Sequence, residues 1–175
     1  MGVAEDFFNC KDSSSKKCHY LTENYEQSLE WEKESVSSHS CGIVKDDEIL
    51  ARNIFSPHHY DTETGEIKSL AFDDMLNKGL SVLRCSYTTS DEIISIGKDK
   101  QKGTHEYLGY VTIQAECIRE YIIELKRAMA IYDTALEDLL MHADICSIGV
   151  TKGSRGLLRI FLKDNFSKLI KNNEI

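Results

Sequence analysis

YLGYVTIQ (107–114), AECIREYIIELKR (115–127) and AMAIYDTAL (128–136) form the stretch on which the fold turns. The first is rich in aromatic and β-branched residues, which suit a half-buried pleated surface, and reads as a strand. In the second, Cys117, Ile118, Tyr121, Ile122 and Leu125 recur at spacings of three and four, the stripe of an amphipathic helix. The third reads as another strand. A strand, a helix and a strand in immediate succession call for a layered α and β architecture.

The same alternation continues upstream. LSVLRCSY (80–87) alternates as a strand should, and Thr89-Ser90-Asp91-Glu92 has the T-x-x-E spacing of a capping box, predicting a helix over 90–100 with Ile93, Ile94 and Ile96. AFDDMLNKG (71–79) reads as one or two helical turns ended by Gly79, and DTETGEI (61–67) as a tight turn through Gly65. DEILARNIF (47–55) fits a strand or a short helix and is broken by the only proline, Pro57. Downstream, LEDLLMHADICSIGV (136–150) suggests a short helix leading into a strand. LLRIFLKDNFSKLIK (157–171) suggests an amphipathic helix through Leu158, Phe161, Leu162, Leu169 and Ile170. The expectation is a compact α+β domain over residues 46–175, with a small mixed or antiparallel sheet, flanking helices and a C-terminal amphipathic helix. A doubly wound sheet is the second choice.

Residues 1–45 differ from the rest. KDSSSKK (11–17) and SVSSHS (35–40) are polar, and between them TENYEQSLEWEKE (22–34) has one sparse apolar edge with a Thr cap. Such a segment cannot make a core of its own. It is either an arm lying on the main domain or a partner-binding extension, and removing it is expected to leave a folded core.

At 175 residues the chain is one domain's worth. Its net charge of −8 argues against binding nucleic acid unaided, because such binding rests on cations that neutralise phosphates. The charge is uneven: residues 152–175 carry six basic and two acidic groups, a basic tail suited to an acidic partner, a phosphate or simply solvent. No apolar run approaches the roughly 18 residues of a membrane span, and the first residues lack the basic and apolar regions of a secretory signal. The expectation is therefore a cytoplasmic protein whose six cysteines are thiols or metal ligands, not disulfides.

Several residue sets could carry chemistry. Cys10, Cys18, His19, His39 and Cys41 are of the types that hold structural zinc, though their spacings match no zinc knuckle, so no cofactor is expected. Arg52-Asn53 and His58 spell R-N-x4-H, which resembles the motif of HEPN-type ribonucleases and would pair a phosphate-binding cation with a proton carrier. His59 and Asp61 could share an ion, whereas the adjacent His58 and His59 point to opposite faces of an extended chain. Asp133 and His142 flank a predicted strand end, where His142 could act as an acid or base. TKGSRG (151–156) offers Lys152 and Arg155 as contacts for a phosphate without forming a P-loop. No G-x-S-x-G elbow, dinucleotide fingerprint, CxxC pair or HExxH helix is present, which leans the reading away from the common enzyme classes.

Leu50-Ala51-Arg52 followed by Pro57, then Gly65 through Ser69-Leu70-Ala71-Phe72, Ser81-Val82 and His142-Ala143, resembles the recurring pattern of a loose group of short uncharacterised bacterial proteins. The resemblance spans about residues 48–146 and brings no catalytic role with it. Such reading frames tend to lie beside mobile-element and anti-phage genes, which implies a component of a larger system. Together with the acidic balance, the polar arm and the basic tail, this makes an accessory or interaction subunit of a multi-protein bacterial defence system, bound to a larger protein partner, the first expectation. The alternatives are a small enzyme or sensor for a phosphate-bearing nucleotide, using Arg52 and either Lys152 or Arg155 for charge with His58 or His142 for proton transfer, and an acidic antitoxin or immunity protein.

Overall fold

A computed structural model describes Phe8 and residues 16–171; the side chain of Lys152 is not described. The chain is an α+β domain built on a six-stranded antiparallel sheet. Of the elements whose bounds are described, helices α1 (Lys17–Glu23) and α2 (Tyr25–Glu32) come first, followed by strand β1 (Ile49–Ser56) and the hairpin β2 (Tyr60–Asp61) and β3 (Glu66–Ile67). A 3-10 segment (Ser69–Leu76) leads to β4 (Leu80–Arg84), α3 (Ser90–Asp99), β5 (Glu106–Gln114) and α4 (Ala115–Arg119). A second hairpin, β6 (Ile122–Ile123) and β7 (Lys126–Arg127), precedes β8 (Met129–Asp133) and β9 (His142–Ser147). Helix α5 (Arg155–Asn165) and the short β10 (Ile170–Lys171) are the last of the described elements. The order across the sheet is β10-β5-β1-β4-β9-β8.

Successive side chains point to opposite faces of the sheet, and both faces carry apolar clusters that helices cover. On one face Leu50, Ile54, Val82, Ile113, Met129 and Ile145 pack beneath Phe72 and Met75 of the 3-10 segment and Leu158 and Leu162 of α5. The other face is shared by two clusters. Ile93 and Ile94 of α3 cover Ala51, Leu83 and Tyr110, while Leu21 and Trp31 of the arm cover Ala130, Tyr132 and Cys146. The capping box forms as read: the Thr89 hydroxyl accepts from Glu92 N–H, and the Glu92 carboxylate accepts from Thr89 N–H.

Three expectations about the elements are corrected. The stripe over 115–127 is not one helix: α4 ends at Arg119, and the chain turns back through Glu124 and Leu125, both at positive φ. Tertiary bonds decide this, since Arg119 and Arg127 both reach Glu32 and Arg127 N–H donates to the Tyr25 hydroxyl. Leu125, counted in the apolar stripe, is 99% exposed. The C-terminal helix stops at Asn165 because Ser167 exchanges hydrogen bonds with Thr112, through its amide and its hydroxyl, and draws Ile170 into the sheet edge. Residues 136–139 form a turn closed by a Leu136–Leu139 bridge, not a helix.

The described part of the arm lies on the main domain. Glu32, buried, accepts from Arg119 Nε at 2.9 Å, from Ile131 N–H at 2.8 Å and from Arg127, while the Tyr132 hydroxyl donates to the Ser28 carbonyl at 2.9 Å.

Candidate active site

Strand β1 pairs with β5 along its whole length but with β4 only at Leu50–Arg84 and Ala51–Leu83. Beyond that point the pairing lapses and the Arg52 guanidinium enters. Its Nη1 donates to the Ser81 carbonyl at 3.0 Å and its Nη2 to the Ala71 carbonyl at 3.3 Å, with Asp74 at 3.8 Å. Burial lowers its pKa, against the pull of Asp74 and Asp144. Arg52 Nε and Asn53 Oδ1, both buried, have no hydrogen-bond partner, so this junction is under-satisfied.

Ser81, Leu83, His142 and Asp144 share one face, because β4 and β9 pair Ser81 with Asp144 and Leu83 with His142. The Ser81 hydroxyl lies 2.7 Å from His142 Nε2. On the other side of the ring, Nδ1 lies 3.0 Å from the Thr134 carbonyl and 2.9 Å from the Thr134 hydroxyl, which in turn lies 3.2 Å from Asp144 Oδ2. A carbonyl can only accept, so the tautomer with a proton on Nδ1 satisfies every group at once. Nδ1–H then donates to the Thr134 carbonyl, the Thr134 hydroxyl donates to Asp144, and the Nε2 lone pair receives the Ser81 hydroxyl. This is the connectivity of a nucleophile, a base and an orienting group. The His142 side chain is 13% exposed, enclosed yet reachable.

Lys100, the C-cap residue of α3, is within electrostatic reach of Arg52 and Asp144. Burial and Arg52 lower its pKa, and Asp138 and Asp144 oppose them. It lines an open depression with Ile96, Asp99, Leu136, Asp138 and Leu139, formed between the end of α3 and the turn that precedes His142.

The other sequence candidates fall elsewhere. Arg52 and His58 do not form a helix-start pair: Arg52 is on a strand, while His58 is exposed and stacks on His105 with ring centroids 6.0 Å apart. His59 accepts from Phe55 N–H, and Asp61 accepts from the backbone of Glu63 and Thr64, so both are engaged within their own turns. Asp133 is tied to Arg84, Ser35 and Ser40. Arg155 begins α5, joined to the β6–β7 hairpin through the Ser154–Glu124 bond, and is not among the charged groups around Arg52. Lys152 starts the preceding turn. Of the zinc set, Cys10 lies outside the described residues. Cys18 is buried beside Cys146, His19 pairs with Glu23 on the surface, and His39 and Cys41 sit in the loop before β1. Among the described residues no three His, Cys, Asp or Glu side chains converge as metal ligands, and no helix is long and apolar enough to cross a membrane.

Sequence reasoning singled out Arg52 and His142 but not the serine between them, nor Thr134 and Asp144. The signal for Asp144 was present, since H-A-D on a strand puts His142 and Asp144 on one face. Ser81 needed the β4–β9 register, which no local pattern carries.

His59 supplies a test of how dry this end of the sheet is. Burial, then Arg52, His58 and His105, push its pKa down from 6.5 to about 3. The unfolded chain takes up a proton as pH falls below 6.5 and the folded chain does not, so stability present above 6.5 is lost on acidification, by roughly 1.4 kcal/mol per pH unit. Urea unfolding at pH 7 and pH 5 should show a shallower acid loss for His59→Asn than for the parent. Equal slopes would mean that His59 is solvated.

Comparison with protein-family models, curated proteins and solved structures finds no match.

Proposed function

We propose that the protein is a small serine-type hydrolase, with Ser81 as nucleophile and His142 as general base, acting on a phosphate-bearing ester of nucleotide type. The observation that carries this is the 2.7 Å approach of the Ser81 hydroxyl to a histidine nitrogen whose opposite face is anchored on Thr134. A serine hydroxyl is a weak nucleophile until an oriented base accepts its proton. In the reaction Ser81 Oγ bonds to the electrophilic centre and its proton passes to Nε2. His142 then gives that proton to the departing alcohol, and water, deprotonated in turn by His142, releases the bound group from Ser81. Arg52, by holding the Ser81 carbonyl, positions the strand and keeps a cation beside the developing charge, and Lys100 offers an ammonium to an anionic substrate in the depression.

A fluorophosphonate probe tests the reading directly. The folded protein should be labelled at Ser81, identified by peptide mass spectrometry. Ser81→Ala should not be labelled there, and His142→Gln should react about 100-fold more slowly, the low end of what a positioned base contributes. Absence of label on the folded parent protein would sink the assignment.

A second reading is supported by a different surface. Ile122 and Leu125 of the hairpin and Leu157 and Ile160 of α5 are large apolar side chains left exposed, as an accessory subunit docked on a larger bacterial protein would require. A tagged pull-down from the host at moderate salt, repeated with Leu125→Asp and Ile160→Asp, should recover a stoichiometric partner with the parent chain only.

A further inference from the structure

Asp144 stands among three groups that compete for it. The Thr134 hydroxyl is 3.2 Å from Oδ2, the Lys17 ammonium is 3.7 Å from the same oxygen, and His142 Nε2 is 3.9 Å from Oδ1. Lys17 is the first residue of α1, and its side chain is only 8% exposed. Its ammonium lies over the Phe8 ring, 5.1 Å from the centroid, and the described residues give it no anionic partner except Asp144. A lysine so deeply buried at the end of a flexible four-carbon stem is a demanding arrangement, and its one charge partner belongs to the Ser81–His142 network.

Two hydrogen-bond patterns are open to the ring. In the first, Nδ1 carries the proton and Nε2 is free to receive Ser81. In the second, Nε2 carries the proton and turns it toward Asp144, while Nδ1 accepts from the Thr134 hydroxyl, so Ser81 loses its base. The geometry as it stands is that of the first: Nδ1 faces the Thr134 carbonyl, and Nε2 is 3.9 Å from Asp144 Oδ1, beyond hydrogen-bond reach. The second requires the Asp144 carboxylate to swing toward Nε2, and the charge on Asp144 decides whether it does. An uncompensated buried carboxylate draws in a donor beyond the Thr134 hydroxyl, and a protonated Nε2 is the donor the His142 ring would offer. A cation beside Oδ2 removes that demand. The charged groups facing this spot are Lys17 from α1, Arg52 from β1 and Lys100 from the end of α3, with Asp138 set against Lys100. Lys17 is the one whose ammonium pairs with Asp144 itself.

We infer that Lys17, carried by the N-terminal arm, is a positioning residue that holds Asp144 away from His142 Nε2 and so keeps His142 in the tautomer that can serve Ser81. Docking of the arm thereby licenses the site. This rests on the nucleophile–base reading, but its test does not depend on turnover.

The experiment is nitrogen-15 NMR of the imidazole nitrogens in the full chain, with the His142 signals assigned through His142→Gln. The parent protein should show a protonated Nδ1 and an unprotonated Nε2. Lys17→Met should move the tautomer ratio toward protonated Nε2 by about tenfold or more, as loss of a charge this close implies, and Lys17→Arg should restore the parent pattern. If Lys17→Met does not fold, Lys17→Gln gives the same neutral side chain with a polar tip and must show the same shift. An unchanged ratio in the folded neutral variant, or a parent protein already protonated on Nε2, overturns the inference. The two readings also fail separately. A tautomer shift without fluorophosphonate labelling would remove the hydrolase and leave the Lys17 effect, whereas labelling with no tautomer shift would do the reverse.

Discussion

Arg84→Ala is expected to lower the stability of the domain by about 3–5 kcal/mol, the cost of breaking a buried ion pair by removing one partner. For a chain of this size that is a fall in Tm of roughly 6–20 °C. Arg84 is 0% exposed. Its Nε and Nη2 donate to the two oxygens of Glu48 at 2.8 and 2.6 Å, Nη1 and Nη2 donate to the Gly42 and Ile43 carbonyls at 2.6 and 3.1 Å, and Asp133 lies 3.6 Å away. Burial alone would raise the Glu48 pKa, and the bonds from Arg84 and Lys45 N–H outweigh it and hold the carboxyl below its ordinary value. Alanine would leave two buried carboxylates facing each other across a void, with the loop before β1 detached from the sheet. Thermal and urea unfolding followed by circular dichroism measure the loss. A change below about 1 kcal/mol, the scale of a surface pair, would show that water already reaches the cluster.

The same arginine shows where sequence reading reaches its limit. LSVLRC (80–85) alternates well enough to place β4, and the alternation puts Arg84 on the face with Leu80 and Val82, among core positions. A charge at an inward position has to find an opposite charge, but nothing local says that Glu48 and Asp133, lying at two different strand ends, will supply it. The strands at 107–114 and 142–147 and the helix at 90–99 were legible because their periods and caps are local. The run at 115–127 was not, because its helical period was outweighed by contacts from Tyr25 and Glu32, about a hundred residues away in sequence. The candidate site divides in the same way. His142 and Arg52 stood out as residue types, whereas the contact joining them through Ser81 exists only because β4 pairs with β9 and parts from β1.

Removing residues 1–45 should abolish cooperative unfolding, contrary to the expectation that the polar arm can be deleted without loss of the core. Leu21 and Trp31 are buried against Ala130, Tyr132 and Cys146, and burying each large apolar side chain contributes roughly 1.5–3 kcal/mol. Glu32 is the buried acid for both Arg119 and Arg127, so its loss leaves Arg127 without its acid and Arg119 with only the exposed Asp46, at about the 3–5 kcal/mol of a broken buried pair. Glu32 also accepts from Ile131 N–H, and β8 is an outer strand of the sheet. Without the arm that edge would offer unpaired backbone groups to other chains, so aggregation is expected alongside unfolding. Losses of this combined size approach the whole stability of an ordinary domain, about 5–15 kcal/mol. Glu32→Ala in the full chain isolates the charge from the apolar burial: it should cost several kcal/mol yet retain a sigmoidal transition, while the truncated protein shows none. A truncated chain that melts cooperatively near the parent temperature would show that the arm is an attachment, and Lys17 would then act on Asp144 from a segment the fold does not need.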